Sequence, residues 1–302
     1  MAAARGRRGR AAGGSAHRFG ATPYLFLLPA FVVYAVFLLY PLGRAAQISL
    51  YDWDGLSLAT FVGLDNYIEV FADPQLREAF WHALVLIFFF AIIPLAVGLV
   101  LAAILVRARV RGLGFFRTVV FLPQVIAMVV VAVAWRQIYA PKGDLNRLLE
   151  AVGLGSLTRT WLGDFTWTLP AVGFVGTWVC TGLVTVLLMA GIARIPNDLF
   201  EAATLDGAGP VRQFLFITVP SVRAEIVVAL TLTIIAALKT FDLVYVTTSG
   251  GPGTSTSVPS YEVYRRAFMI GDVGSAAAIA IVLTVLIFLI NLAVNRIGER
   301  EK

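Results

Sequence analysis

The sequence predicts an all-α membrane protein with six transmembrane helices and both termini in the cytoplasm. Three observations lead there: the composition, the length of the apolar runs, and the side on which arginine collects. Of 302 residues, 59% are hydrophobic and 14% charged, whereas soluble domains are roughly half apolar and about a quarter charged. Apolar stretches cover about 24–43, 79–106, 117–139, 168–191, 226–247 and 273–295. Each supplies the roughly 20 residues that a spanning helix needs. The fifth is the weakest, because Lys239 and Asp242 interrupt it.

Charge sets the orientation. Arg5, Arg7, Arg8, Arg10 and Arg18 precede the first span, and Arg107, Arg109, Arg111 and Arg117 separate spans two and three. Arg194, Arg212 and Arg223 separate spans four and five, and Arg296, Arg300 and Lys302 end the chain. The alternate loops hold fewer cations, Arg44, Arg77, Lys142, Arg147, Arg159, Arg265 and Arg266, together with acids such as Asp52, Asp54, Asp65, Glu69, Asp73 and Glu78. The positive-inside rule then puts both termini and the 194–223 loop in the cytoplasm. The net charge of +6 is accordingly a topology signal. No aromatic residues interleave with the N-terminal arginines, so no nucleic-acid partner is expected.

In chain order, residues 1–23 read as a disordered basic cytoplasmic tail. The first apolar run is longer than a signal-peptide core of 7–15 residues, so it reads as an anchor. A single transmembrane domain then covers 24–297, and 298–302 form a short cytoplasmic tail. The 44–78 loop carries Tyr51, Trp53, Tyr67 and Phe71, spaced for an interfacial aromatic belt. Pro123 can bend span three. Small residues such as Gly173, Gly176, Ala236 and Ala237 permit close helix packing in lipid. Span five leads to Gly250-Gly251-Pro252-Gly253, a turn that breaks the helix. No G-x-x-x-x-G-K-[ST] pattern occurs, so no ATP site is expected in this chain. A single cysteine, Cys180, excludes an intrachain disulfide, and His17 and His82 make no metal set.

The segment between spans four and five, EAATLDGAGPVRQFLFITVP at 201–220, carries the most information. Asp198 can serve as an N-cap with Glu201 completing a capping box. Gly207 stands where a left-handed residue ends a helix, Pro210 suits the first turn of the next, and Pro220 stops it. Glu201-Ala202-Ala203, Asp206-Gly207-Ala208, Phe214, Ile217 and Pro220 resemble the EAA loop of binding-protein-dependent ABC importer permeases. The Gly-Gly-Pro turn after span five matches the same family. The resemblance covers nearly the whole chain and is closest to the first-subunit kind of the sugar group, the maltose, lactose and glycerol-phosphate type.

That resemblance implies a type I ABC importer permease fold in the cell membrane. It implies a multi-pass transport subunit of a carbohydrate importer, surrounded by membrane lipid, with no catalytic or metal-binding residues and no cofactor of its own. The expected partners are a second homologous permease, completing a heterodimer, two ATPase subunits or an ATPase dimer holding ATP and Mg, and an extracytoplasmic solute-binding protein. ATPase coupling falls to Leu199, Phe200, Glu201, Ala202, Ala203, Asp206, Gly207 and Pro220. Glu201 has two readings, a cap on its own helix or a partner for an ATPase arginine. The matching solute-path positions are Gly176, Cys180, Leu183, Thr233, Ala236, Ala237 and Thr240, with Lys239 added as an intramembrane charge. These positions lack the aromatic and amide groups that hold a sugar. Either the solute is held weakly, or Trp178, Thr181, Lys239 and Tyr245 contribute. Lys239 and Asp242, three residues apart, could neutralise each other on one helical face, or Lys239 could attract an anionic or hydroxyl-rich solute. A glycerol-phosphate importer is the alternative within the family. A secondary transporter suits six spans, but inverted repeats and buried coupling acids do not stand out. A membrane enzyme would need a catalytic cluster, and none is offered.

Overall fold

The computed structural model describes residues 22–107 and 112–299. The N-terminal arginines, Arg109, Arg111 and residues 300–302 lie outside them, so the expectation of a disordered basic tail falls largely on undescribed residues. Residues up to Arg44 form one unit and Ala45–Lys302 another. Helix α1 (Leu25–Ile48) is apolar and long enough to cross a bilayer. It contains one π turn, Ala35–Leu39.

The second unit opens with an antiparallel hairpin, β1 (Tyr51–Asp52) against β2 (Thr60–Phe61). Asp54 accepts hydrogen bonds from the backbone N–H groups of Ser57 and Leu56 and from the Ser57 hydroxyl. These bonds hold its carboxyl below the usual value. The loop aromatics stabilise this substructure: Tyr51 meets Phe61 edge to face at 5.3 Å, and the Tyr67 hydroxyl shares a 2.6 Å hydrogen bond with Ser49. Helix α2 (Asp65–Ala72) follows, and the Asp73 side chain accepts the Gln75 N–H to start α3 (Pro74–Val106).

Helix α3 begins earlier than the expected residue 79 and contains a π turn, Phe88–Ile92. Pro94 follows this turn and has no N–H to return to the helix. The Phe89 carbonyl accepts instead from the Thr177 hydroxyl at 2.6 Å. A helix-breaking residue is thus tolerated because a neighbouring helix satisfies the freed group.

The third expected span is not one straight helix. It divides into α4 (Leu113–Val125) and α5 (Met128–Ile138), bent by 96°. Ile126 and Ala127 are extended, with ψ near 135° and 133°. The bend therefore falls after Pro123, at two residues that leave the helical region. A short α6 (Asp144–Ala151) precedes α7 (Thr168–Ile192), the most buried of the long helices.

Helix α7 is the hub because its small residues admit its neighbours. A β-carbon at Gly173 would lie 2.5 Å from the Phe89 ring, and one at Gly176 would lie 1.9 Å from Phe90. At Gly182 the obstacle is the Val120 carbonyl of α4, 2.2 Å away. This is close packing by small residues, as expected where helices meet in lipid.

Beyond α7 come α8 (Asn197–Leu205), α9 (Pro210–Ser221) and α10 (Arg223–Leu238), with α9 and α10 bent by 71°. The expected continuous fifth span is also broken: α10 ends at Leu238, and α11 (Asp242–Thr247) starts anew. Phe241 between them has φ −129° and ψ −59°, outside helical geometry. Ser249, Gly250 and Gly253 have positive φ, and Gly251–Pro252 is cis, so the predicted Gly-Gly-Pro turn is present. Helix α12 (Pro259–Tyr264), a π turn Arg265–Ile270 and the long α13 (Val273–Glu299) complete the chain.

The loops opposite the α8–α9 segment are fastened by charge. Buried Arg266 donates to Glu69 at 2.6 Å, Ser275 at 2.7 Å and Asp73 at 2.8 Å. Nearby, buried Glu262 accepts from Ser257 at 2.5 Å and from Arg265 at 2.7 Å.

Candidate functional site

Helices α8 and α9 form a compact hairpin between α7 and α10. Helix α8 starts differently from the sequence expectation. Pro196 occupies the N-cap position without a side-chain hydrogen bond, and Asp198 lies inside the first turn. The capping box is absent; Asp198 instead places negative charge near the helix N-terminus. Pro196 favours an extended backbone there, with ψ 135°, and so moves the start of the helix forward.

The other end matches expectation. Gly207 has φ +79°. Ala208 N–H donates to the Ala203 carbonyl at 2.8 Å and Gly207 N–H to that of Thr204 at 3.1 Å. These are the two bonds of a Schellman C-cap. Pro210 then occupies the first turn of α9, and Pro220 sits in its last turn, one residue before the helix ends at Ser221.

Gln213 pins the two helices together, and sequence reasoning did not single it out. Its side chain is buried and donates to the Thr204 hydroxyl and the Ala208 carbonyl, both at 2.9 Å. An amide six residues after the turn glycine is the only available signal. Gln213→Ala is expected to remove about 1–3 kcal/mol of local stability. Hydrogen exchange over 197–221 should rise by roughly tenfold or more; unchanged protection would refute the fastening role.

The hairpin presents an apolar surface. Leu205 is 90% exposed and Val211 and Phe216 are each 72% exposed. Leu199 is also exposed, as are Glu201, Ala202 and Asp206, whereas Phe200 and Ala203 are half-buried. Beside Glu201 a cleft of about 410 Å³ opens between the ends of α3 and α7 and the inner side of α8, reaching Asn197, Thr204 and Gln213. The hairpin's legs are joined by Arg194 and Glu225, 3.0 Å apart.

The proposed solute-path residues separate into two groups. Gly176, Cys180, Thr233, Ala237 and Thr240 are buried within this chain, and Leu183 is half-buried. Thr233 spends its hydroxyl on the Ala229 carbonyl of its own helix, at 2.7 Å. Ala236 and Lys239 are exposed and continue a stripe on α10 through Val228 and Leu232, at helical spacing. On α7 the exposed large apolar residues are Phe174 and Trp178, four apart. The break at Thr240–Phe241 corrects the reading of Lys239 and Asp242 as one helical face. Both are exposed, and among the described residues no ion pair joins them.

The sequence profile described as "Binding-protein-dependent transport system inner membrane component" matches residues 95–302. The chain belongs to this family. A probable ABC transporter permease, YurN, of Bacillus subtilis is 40% identical over 285 residues, covering 92% of this chain and 97% of that one. The trehalose/maltose transport system permease MalF of Thermococcus litoralis is 33% identical, covering 91% and 93%. The sn-glycerol-3-phosphate transport system permease UgpA of Escherichia coli is 32% identical, covering 92% and 94%. Among solved structures, a bacterial ABC transporter involved in alginate import superposes with a TM-score of 0.77 at 24% identity, over 92% of this chain and 95% of that one. The type I importer permease fold follows. As a binding-protein-dependent inner membrane component, the chain is a multi-pass membrane transport subunit.

Proposed function

We propose that this family member is the permease of an ATP-driven importer of a carbohydrate or carbohydrate-like solute, and that the α8–α9 hairpin is its coupling element. In this reading the chain crosses the membrane six times, α4 and α5 together making one bent crossing and α10 starting another after the hairpin. Both termini and the hairpin lie in the cytoplasm, as the arginine distribution requires. A second permease completes the pore, an ATPase pair binds ATP and Mg, and an external binding protein delivers the solute. The carbohydrate class rests on two relatives: the trehalose/maltose permease named above and a diacetylchitobiose uptake permease of Streptomyces coelicolor, 35% identical.

The single observation that carries the coupling role is the exposed apolar hairpin held in one conformation by Gly207 and Gln213. Apolar side chains fill a partner's groove, and Glu201 and Asp206 orient the docking. Burying one exposed leucine in that groove contributes about 1.5–3 kcal/mol. A rigid hairpin fixed to α7 and α10 would pass ATPase closure to both helices as a change of tilt, shifting access from one side to the other.

Gly207→Val tests this. A β-carbon at Gly207 meets nothing within 4 Å, so the substitution adds left-handed backbone strain without a clash, about 1–3 kcal/mol. The variant is expected to reach the membrane with the complex assembled, while uptake per ATP hydrolysed falls by roughly tenfold. Wild-type coupling in proteoliposomes would remove the assignment.

A glycerol-phosphate cargo is favoured by one observation, the exposed and unpaired Lys239 near the helix break. Thermal-shift screening of the cognate binding protein against mono- and oligosaccharides and glycerol phosphates decides between the cargos. Lys239→Gln should lower uptake of an anionic cargo several-fold and leave a neutral one nearly unchanged.

A further inference from the structure

At the end of the bundle away from the coupling hairpin, α5, α6 and the start of α7 enclose a cleft of about 610 Å³. Trp135, Tyr139, Trp161, Trp167, Leu148 and Phe174 are among its walls. The rings form a continuous set: Trp135 lies 5.1 Å from Tyr139 and 5.8 Å from Phe174, and Tyr139 lies 6.2 Å from Trp161. Their polar atoms are largely engaged elsewhere. The Tyr139 hydroxyl donates to the Ala171 carbonyl at 3.1 Å, and Trp161 Nε1 donates to Asn146 at 2.9 Å. The one carboxylate at the edge, Asp144, has Arg147 at 3.8 Å.

Those walls select the ligand. A sugar needs hydrogen-bond partners for its hydroxyls, and burying a polar group without them is costly. A hydrocarbon chain needs only ring faces and carbon. A cation sits over two of the walls: the Arg159 guanidinium lies 4.4 Å from the Trp167 ring centre and 5.3 Å from that of Trp161. Its Nε donates to the Leu157 carbonyl at 3.2 Å, and its two terminal nitrogens have no partner among the described residues. A guanidinium with a free fork above an aromatic wall suits a phosphate, which it can grip with two parallel hydrogen bonds. The location agrees: tryptophan and tyrosine collect where membrane helices meet the headgroups, and α7 at 25 residues separates this end from the hairpin by about 37 Å.

We propose that this cleft is a phospholipid site, with an acyl chain between the rings and the lipid phosphate on Arg159. It shares no lining residue with the solute-path positions or the coupling hairpin, although Trp178 packs against its wall Trp135 at 5.6 Å, and it does not depend on which cargo is carried.

The test uses the complete transporter purified from membranes. By native mass spectrometry, the wild-type complex should retain phospholipid that Arg159→Gln and the cleft-filling Leu148→Trp release, each lowering retention by roughly tenfold. Arg77→Gln, on an exposed cation of α3, should leave retention unchanged. In nanodiscs, phosphatidylglycerol with brominated chains should quench tryptophan fluorescence at a lower mole fraction than a brominated diacylglycerol lacking phosphate, and Arg159→Gln should erase that difference. Equal quenching by both lipids in the wild type would overturn the proposal, as would retention indifferent to Arg159→Gln. Loss of the second permease from the Leu148→Trp complex would show that a protein helix fills the cleft and would equally overturn it. Arg159→Gln changes a half-buried side chain that lies over two of the cleft's rings, so it stays informative if Leu148→Trp does not fold.

Discussion

Arg266→Ala is expected to lower the melting temperature of the detergent-solubilised protein by several degrees. Arg266 is 6% exposed and faces three carboxylates, Glu69 at 2.6 Å, Asp73 at 2.8 Å and Asp272 at 3.8 Å. Alanine would leave these negative charges together without their cation. Removing one member of a buried ionic cluster costs about 3–5 kcal/mol. The lower end applies here, because Glu69 retains 47% side-chain exposure and can hydrate. Arg266→Lys keeps the charge but loses the fork that reaches Glu69 and Asp73 at once, so it should fall between alanine and wild type. The unpaired, buried Nε of Arg266 lowers the net stabilisation without removing it. Differential scanning fluorimetry of the three proteins checks the order; an alanine variant within one degree of wild type would show that this cluster does not hold the loops.

Gly182→Ala is expected to separate α4 from α7. Its β-carbon would lie 2.2 Å from the Val120 carbonyl oxygen and 3.0 Å from the Phe121 Cα. Both obstacles are backbone, so no side-chain rotation relieves the overlap. Gly176 meets a ring instead, Phe90 at 1.9 Å, and Phe90→Leu could relieve a substitution there. Overpacking of this kind costs about 1–3 kcal/mol, and in lipid it also removes close contact that holds the helices together. Reduced yield of monodisperse protein and faster proteolysis near 112–127 are expected. A Gly182→Ala protein with wild-type yield and melting temperature would refute the close approach.

What the sequence made legible follows from which interactions are local. Apolar runs marked the long helices because hydropathy is a property of consecutive residues. Gly207 marked the hairpin turn because a positive φ strongly prefers glycine. The start of α8 differs from the sequence expectation because two local signals compete: a cap at Asp198 and a proline with extended backbone at 196. The break after Leu238 had only an indirect local sign, the charges Lys239 and Asp242, since AALKTFDLV contains neither proline nor glycine. It reflects the packing of α11 against α5, where Arg136 donates to the Val246 carbonyl at 3.3 Å. The tie between Thr177 and the Phe89 carbonyl joins residues 88 apart, so Pro94 could signal a free carbonyl but not the group that would satisfy it. The Arg266 cluster reaches back 197 residues to Glu69, beyond any motif.

The bare hairpin surface also bears on how the cell would count its subunits. Leu205, Val211 and Phe216, at 90%, 72% and 72% exposed, are the kind of uncovered apolar surface that chaperones and proteases recognise. On the proposed reading this surface is covered only by the ATPase. A chain made in excess of that partner would therefore look unfinished and be degraded, and permease abundance would follow ATPase supply without a dedicated regulator.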